Sequence, residues 1–488
     1  MPCLGSEFLA PMSSMLPRNR LAFSLAAILA AAFALRLALA WGLPNFYRPD
    51  EIFQTLEPAY KWLTGWGVTS WEWRDGIRSW LYPALLAGIM DLPIRLGYGR
   101  EVYLPLVMAA MSLVALLPVW AAWRLGQRAG GQLAAIICAL LVAVWPDLVY
   151  FGPKTLTEVQ AGNVLTAAVA LATLLAGKPP SPRWRWIVLG GLLGMVFCLR
   201  FHLAPVLIVV AMVAARMQVR YRWLPLLLGA AAPLALLGVV DQITLGSAFQ
   251  SVWKNFTVNL TEGRSLNYGQ EPAFWYIVAW AHQLGIAALP MTVLFGFGAS
   301  LLPLAALCSL LIVASHSVVA HKELSFIYAA FPLAVIVAGA GLVRLASMLP
   351  RGAMVASLTG VVLLSAASAS TGDVRRLIGR TADLVAIDAH LHGLPDMCGL
   401  VLYRASDLFW PSYALIDRKL PIEVAATQSE YAAASAAANY TLVLRQDSAL
   451  GLGRSQICWS NFCLLRRAGA CSPAAEYEVN RVLERAGK

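Results

Sequence analysis

The most reactive combination in the chain is an Asp-Glu pair, Asp50-Glu51, inside the run FYRPDEIFQTLEPAY (Phe46–Tyr60), a few residues beyond the first long apolar segment. Carboxylates are costly beside lipid and are rarely kept there without a task. The next loop carries WGVTSWEWRDGIRSWLYP (Trp66–Pro83), rich in tryptophan and arginine. A base beside cations and aromatic rings suits chemistry on a polar group carried by a lipid. The base removes a proton from an attacking hydroxyl, and fixed cations stabilise the charge that develops on a departing phosphate. Asp50 is the candidate base. Glu51 faces elsewhere if the segment is helical, since neighbours do not share a helix face; it suits holding an acceptor or pairing with an arginine. Capping a helix N-terminus is the alternative use of the pair. Adjacent residues cannot flank one glycosidic bond from opposite faces, which argues against a glycosidase.

The elements that must position this pair are membrane helices. The 488 residues are 59% hydrophobic and only 13% charged, and the mean hydropathy of +0.67 is far too apolar for a soluble protein. Runs that meet the requirement of roughly 20 apolar residues per span are Leu21–Gly42, Val102–Trp123, Leu133–Tyr150, Leu156–Gly177, Trp223–Val240, Ala273–Leu289, Thr292–Ser315, Leu324–Val343 and Met354–Ala369. A longer run, Trp186–Arg216, is interrupted by Arg200-Phe201-His202 and reads as two short spans meeting at a polar turn. The expectation is an all-α polytopic membrane protein of about 11 transmembrane helices. Residues 371–488 differ in composition and read as a small α/β domain, with strands expected at Gly399–Tyr403, Ile422–Ala425, Tyr440–Arg445 and Ile457–Leu465 and a helix at Ser429–Ala438.

Charge orients the spans. Nearly all of the +11 net charge precedes residue 371. Basic loops mark the cytoplasmic side: Arg18/Arg20, Arg124/Arg128, Lys178/Arg183/Arg185, Arg216/Arg220/Arg222 and Arg344/Arg351. The loops that begin at Leu43 and Asp241 then lie outside, together with residues 371–488. Residues 1–20 form a cytoplasmic tail without a cleavable-signal pattern, 21–370 the membrane domain, and 43–101 an outer loop. Ser79–Gly97 is broken by Pro83, Asp91, Pro93 and Arg95 and reads as re-entrant or interfacial, since a crossing there would invert every later loop. Cys398, Cys458, Cys463 and Cys471, four of the eight cysteines, fall in the last domain, where disulfides or free thiols are both open. No nucleic-acid signature, zinc motif or Gly-rich phosphate loop is present.

The order of the Asp-Glu loop, TSWEWRDGIRSWLYP, WPDLVYFGPKTLTE (Trp145–Glu158), LNYGQEPAFWY (Leu266–Tyr276) and HKELSFIYAAFPL (His321–Leu333) resembles glycosyltransferase family 22, over residues 20–345. That resemblance implies a GT-C type membrane transferase that takes mannose from a polyprenyl-phosphate donor to a lipid-linked or glycan acceptor hydroxyl, with inversion and with no nucleotide, cofactor or obligatory metal. A transferase for another polyprenyl-phosphate sugar, or a lipid-linked-sugar flippase, are the alternatives. The chain departs from the family pattern at Arg48 and in the Lys-Glu-Leu-Ser block. Candidate donor-phosphate ligands are Lys322, His321 and Arg200; Arg200 could instead pair with Asp241 or Glu158. Candidate substrate contacts are Arg74, Arg78, Trp73, Tyr268 and Glu158. The membrane is the inner or plasma membrane in a bacterium or the endoplasmic reticulum in a eukaryote, with the site on the extracytoplasmic face.

This topology is checked by reporter fusions. Fusions at Ser370 and Lys488 should be active only with a reporter that works in the periplasm or lumen, and activity of a cytoplasmic reporter at either point contradicts the orientation.

Overall fold

Apolar runs of membrane length fold as helices because lipid offers their backbone polar groups no other partner. The computed structural model describes residues 18–176, 181–349, 352–404, 411–472 and 478–485. Among them are six helices long and apolar enough to cross a bilayer: Ser24–Gly42, Arg100–Val144, Thr157–Ala176, Val219–Leu245, Trp275–Ala299 and Ala353–Thr371. Shorter apolar helices span Phe201–Ala215, Pro303–Ser317 and Ala330–Ala346. Of the expected tail, only Arg18–Arg20 is described, and it opens the first helix.

Arg100–Val144 is not one rod. Its second part breaks at Gly130 and Gly131, the latter at a left-handed φ of 69°. The arms fold back so closely that a Cβ on Gly126 would lie 2.5 Å from the Ala134 carbonyl oxygen. Small residues also let whole helices touch along their backbones. A Cβ on Gly190 would meet the Leu226 oxygen at 1.8 Å, and one on Gly341 would meet the Leu294 oxygen at 1.9 Å. One expected boundary moves. The break anticipated near residues 289–292 falls instead at Ser300–Leu302, because Pro303 opens the next helix and cannot continue the previous one.

Ser79–Gly97 contains the helix Leu81–Arg95. Tyr82, Leu86 and Met90 are buried on one face, while Leu85, Leu92 and Leu96 are 60%, 65% and 64% exposed. The helix thus packs one face into the fold and leaves an apolar edge exposed on the other.

The C-terminal part holds a five-stranded sheet of β1 (Leu400–Tyr403), β2 (Ile422–Ala425), β3 (Tyr440–Leu444), β4 (Arg454–Cys458) and β5 (Phe462–Arg466), in the order β2-β1-β3-β5-β4. β1 runs parallel to β2 and β3, and β5 runs antiparallel to β3 and β4. The single strand expected over Ile457–Leu465 is therefore a hairpin: Ser460 and Asn461 supply turn chemistry that breaks the run. Disulfides join Cys398 to Cys471 and Cys458 to Cys463.

Two cores result. One lies among the membrane-length helices. The other is shared: Ile52, Leu56 and Tyr60 from the segment after the first helix, and Leu86 and Tyr103 beyond it, pack with Leu400, Ile422, Leu442 and Leu464 of the sheet domain. Polar clamps reinforce this joint. The buried Glu57 carboxylate accepts backbone N–H bonds from Val68 (2.7 Å), Tyr413 (3.0 Å) and Ala414 (2.8 Å). Asp417 accepts from the Tyr60 hydroxyl and the Arg100 backbone N–H, each at 2.9 Å. Asn480 accepts from the Thr69 N–H at 2.7 Å and donates to the Gly67 oxygen at 3.1 Å.

Glu57→Ala leaves three buried N–H groups without an acceptor. The cost should be roughly 2–4 kcal/mol, read as a lower melting temperature in detergent and faster proteolysis of the sheet domain. An unchanged melting temperature contradicts the clamp.

Candidate active site

A cleft of about 470 Å³ opens where the joint meets the helix ends. Its walls come from five directions: Asp50 and Gln54, then Trp71, Glu72 and Arg78, then Glu158 with the turn Arg200–His202, then Asn255, Asn259 and Tyr268, then His316, His321 and Glu323. Leu483 of the last helix completes the lining. Two of these walls contain a π-turn, Ile52–Leu56 and Thr257–Thr261. Such one-residue insertions re-aim side chains and are frequent at functional sites.

Most charges in the cleft neutralise one another. Arg78 bonds Glu72 at 2.7 Å, Arg200 bonds Glu158 at 3.0 Å and Arg48 bonds Glu323 at 2.9 Å. Asp241, the other partner considered for Arg200, instead accepts from Ser251 Oγ at 2.6 Å. His321 lies 3.6 Å from Glu323, and the Ser325 hydroxyl donates to Glu323 at 3.2 Å. Among the described residues, Asp50 is the lining carboxylate left with no ion pair and no hydrogen bond.

That isolation shapes its acidity. Burial pushes the Asp50 carboxyl up to about 7, and the negative charges of Glu323, Glu72 and Glu158 add to it while Arg78 opposes. Burial works to raise Glu323 too, but the nearby His321 ring and the charge of Arg48 outweigh it and hold Glu323 below the ordinary carboxylate range. His321 is raised in turn, chiefly by the Glu323 carboxylate beside it. Two neighbouring carboxyl groups are thus driven apart, one ionised and one poised near neutrality, the pattern that separates a base from an electrostatic support.

Glu51, adjacent to Asp50, does not line the cleft. It is 2% exposed and accepts from the backbone N–H of Tyr47 (2.9 Å) and of Thr155 (3.3 Å), with Lys154 Nζ at 4.0 Å. Lys154 in turn donates to Asn45 Oδ1 at 2.7 Å. These bonds pin the turn that carries Asp50 and turn the Glu51 carboxylate away from the cleft. Lys322 is also outside the lining: its ammonium bonds the backbone oxygens of Glu271 (3.0 Å) and Val319, joining two loops. A lysine beside bare carbonyls satisfies them before it reaches any ligand. Arg74 bonds the Thr69 oxygen at 2.5 Å, and Trp73 donates to the Phe53 oxygen at 2.9 Å and packs on Trp80. Neither reaches the cleft. Asp50, Arg78, Glu158, Arg200, Tyr268 and His321 do.

Sequence reasoning missed Glu72, Glu323, His202, His316, Asn255 and Asn259 as cleft residues. Glu72 and Glu323 stand inside the motif blocks. Asn255 and Asn259, four apart, carry the spacing of one helix face. His316 sits in an apolar helix and gave no signal.

A family model, the Alg9-like mannosyltransferase family, matches residues 27–373. The chain belongs to that family. It is similar to GPI mannosyltransferase 3 of Yarrowia lipolytica, 26% identical over 311 residues, which is 63% of this chain and 60% of that protein. It is also similar to GPI alpha-1,2-mannosyltransferase 3 of Danio rerio, 27% identical over 309 residues, 61% of this chain and 56% of that one. The chain thus spans under two thirds of the length of these relatives. In fold it matches ArnT from Cupriavidus metallidurans bound to undecaprenyl phosphate, with a TM-score of 0.61 at 12% identity over 94% of this chain and 100% of that one. The Archaeoglobus fulgidus oligosaccharyltransferase tethered with an acceptor peptide gives a TM-score of 0.51 at 10% identity, over 89% of this chain and 70% of that one. The GT-C architecture is therefore shown, with its small sheet domain. The matched range includes every cleft residue named here except Leu483.

Asp50→Asn keeps the shape of the side chain and removes its ability to take a proton. Turnover should fall by ~100–10,000-fold with protein level and melting temperature kept, whereas Glu51→Gln should lower the melting temperature. Near-normal turnover in Asp50→Asn contradicts the assignment.

Proposed function

We propose that the protein transfers mannose from a polyprenyl-phosphate carrier to a hydroxyl of a lipid-linked or glycan acceptor, on the extracytoplasmic side of a membrane crossed about eleven times. The observation that carries this reading is the unpaired Asp50 in a cleft where the other acids are neutralised. In the proposed step the acceptor oxygen attacks the anomeric carbon as its proton passes to Asp50. The bond to the phosphate oxygen breaks on the opposite face, so configuration inverts. The electron pair leaves with the phosphate, whose charge is met by Arg200. Family membership supports mannose as the sugar, and a fold relative that carries undecaprenyl phosphate supports a polyprenyl carrier.

Purified protein in nanodiscs, given polyprenyl-phosphate-[³H]mannose and a glycolipid extract, should label an extractable lipid or glycan. Labelling from a sugar nucleotide without any polyprenyl carrier contradicts the donor assignment. The rate should depend on pH in one direction. Only ionised Asp50 accepts a proton, so turnover should rise from pH 5.5 through about 7, where its carboxyl titrates, and level off only on the alkaline side of that value. A rate that is already maximal at pH 5.5 removes Asp50 from the role of base.

A further inference from the structure

One corner of the cleft holds buried nitrogen atoms that nothing in the protein satisfies. Arg200 Nε, His202 Nδ1 and His316 Nε2 all belong to lining residues, and among the described residues none of the three has a hydrogen-bond partner. Arg200 and His316 are each 8% exposed. A buried polar atom without a partner has lost its water and gained nothing in return, so several gathered in one cavity mark the place of a ligand. The elements differ, a turn between two helices and the end of another helix, so no single local feature accounts for the cluster.

The tautomer of His316 decides what that ligand must bring. Its Nδ1 lies 2.9 Å from the Ile312 backbone oxygen. A carbonyl can only accept, so Nδ1 carries the hydrogen and a neutral ring leaves Nε2 as a bare lone pair. Beside the Arg200 guanidinium this lone pair is tolerated. Beside an anion it is repulsive unless the ring gains a second proton, which turns Nε2 into a charged donor.

We propose that Arg200, His202 and His316 form the corner that grips a phosphate ester, and that docking of the phosphate draws one proton onto His316. The identity of that ester as the carrier phosphate rests on the transferase reading above. The corner lies in the same cleft as Asp50, so the two ends divide the work: a proton leaves the acceptor at Asp50, and a charge arrives on the leaving oxygen at His316. The proton held by His316 compensates that charge as the carbon–oxygen bond breaks. The charged and titratable groups that act on the ring are Arg200, Glu158 and His202, with Arg78 and Asp50 lining the same cleft.

The test is binding of farnesyl methyl phosphate, a phosphodiester that does not itself titrate near neutrality, to the detergent-solubilised full chain between pH 8 and 6. Uptake of one proton makes affinity rise by up to about tenfold per pH unit. The rise should persist in Asp50→Asn, which removes the other titrating group, and should flatten in His316→Gln, whose amide keeps a donor but cannot gain charge. Calorimetry in buffers of different ionisation enthalpy should show about one proton taken up by the wild type and close to none by His316→Gln. A flat wild-type profile, or a full slope in His316→Gln, overturns the proposal. Dimethyl phosphate serves as the arm without a lipid; if it binds as tightly as the farnesyl ester, the corner serves free phosphate and the carrier assignment falls. Folding is followed by melting temperature, and His202→Gln, with the charge-bearing ring of His316 intact, should weaken binding while keeping the slope. None of these readings needs mannose transfer, so loss of the slope in a protein that transfers mannose sinks this proposal alone. Persistence of the slope in a protein that transfers none sinks the transferase reading alone.

Discussion

A carboxylate serves as a base only while no cation holds it, and a cleft at the edge of a membrane is a poor place to leave one free. The pairing of Arg78 with Glu72, Arg200 with Glu158 and Arg48 with Glu323 resolves that conflict. Each pair places two charges in low dielectric with close geometry, which keeps their desolvation tolerable. The remaining acid, Asp50, is raised first by its burial, with the nearby carboxylates Glu323 and Glu72 adding to this and Arg78 opposing it. Removing any one arginine would free a second carboxylate and alter the field at Asp50.

The rest of the fold holds this arrangement still. Asp50 sits on a short turn that Glu51 ties to Thr155 and Lys154, across to the loop before the helix Thr157–Ala176. Glu158 follows on that same helix, so the anchor and one ion pair share a rigid element. On the other side Glu57 and Asn480 bind the loop 66–70 and the sheet domain together, and Leu483 brings that domain to the cleft. The sheet domain is therefore part of the wall of the site.

Much of this was legible in the sequence, for identifiable reasons. Long apolar runs separated by basic loops are a one-dimensional signal, and they located the helices and the interruption at Arg200-Phe201-His202. The Asp-Glu pair stood out because carboxylates beside lipid are rare. The roles of individual charges were not legible, because they depend on which way a side chain leaves its element. Lys322 shares a block with His321 and Glu323, yet its ammonium turns to carbonyl oxygens while theirs face the cleft. Glu51 is one residue from Asp50 and points into a buried network. Ile457–Leu465 reads as one strand by composition, and only pairing partners reveal the hairpin. His316 is invisible in sequence because a lone histidine in an apolar helix reads as core.

In the proposed reaction Asp50 faces the acceptor hydroxyl while the phosphate lies beside Arg200. The direct measurement is an experimental structure of the Asp50→Asn protein with a non-transferable phosphonate analogue of polyprenyl-phosphate-mannose and a short glycan acceptor. The account predicts the residue-50 side chain within hydrogen-bond reach of the acceptor hydroxyl, roughly 2.6–3.2 Å, with the phosphonate beside Arg200 and His316 on the opposite side of the anomeric carbon. A phosphonate seated on Lys322, or an acceptor hydroxyl directed at Glu323 or Glu72 instead of residue 50, contradicts it.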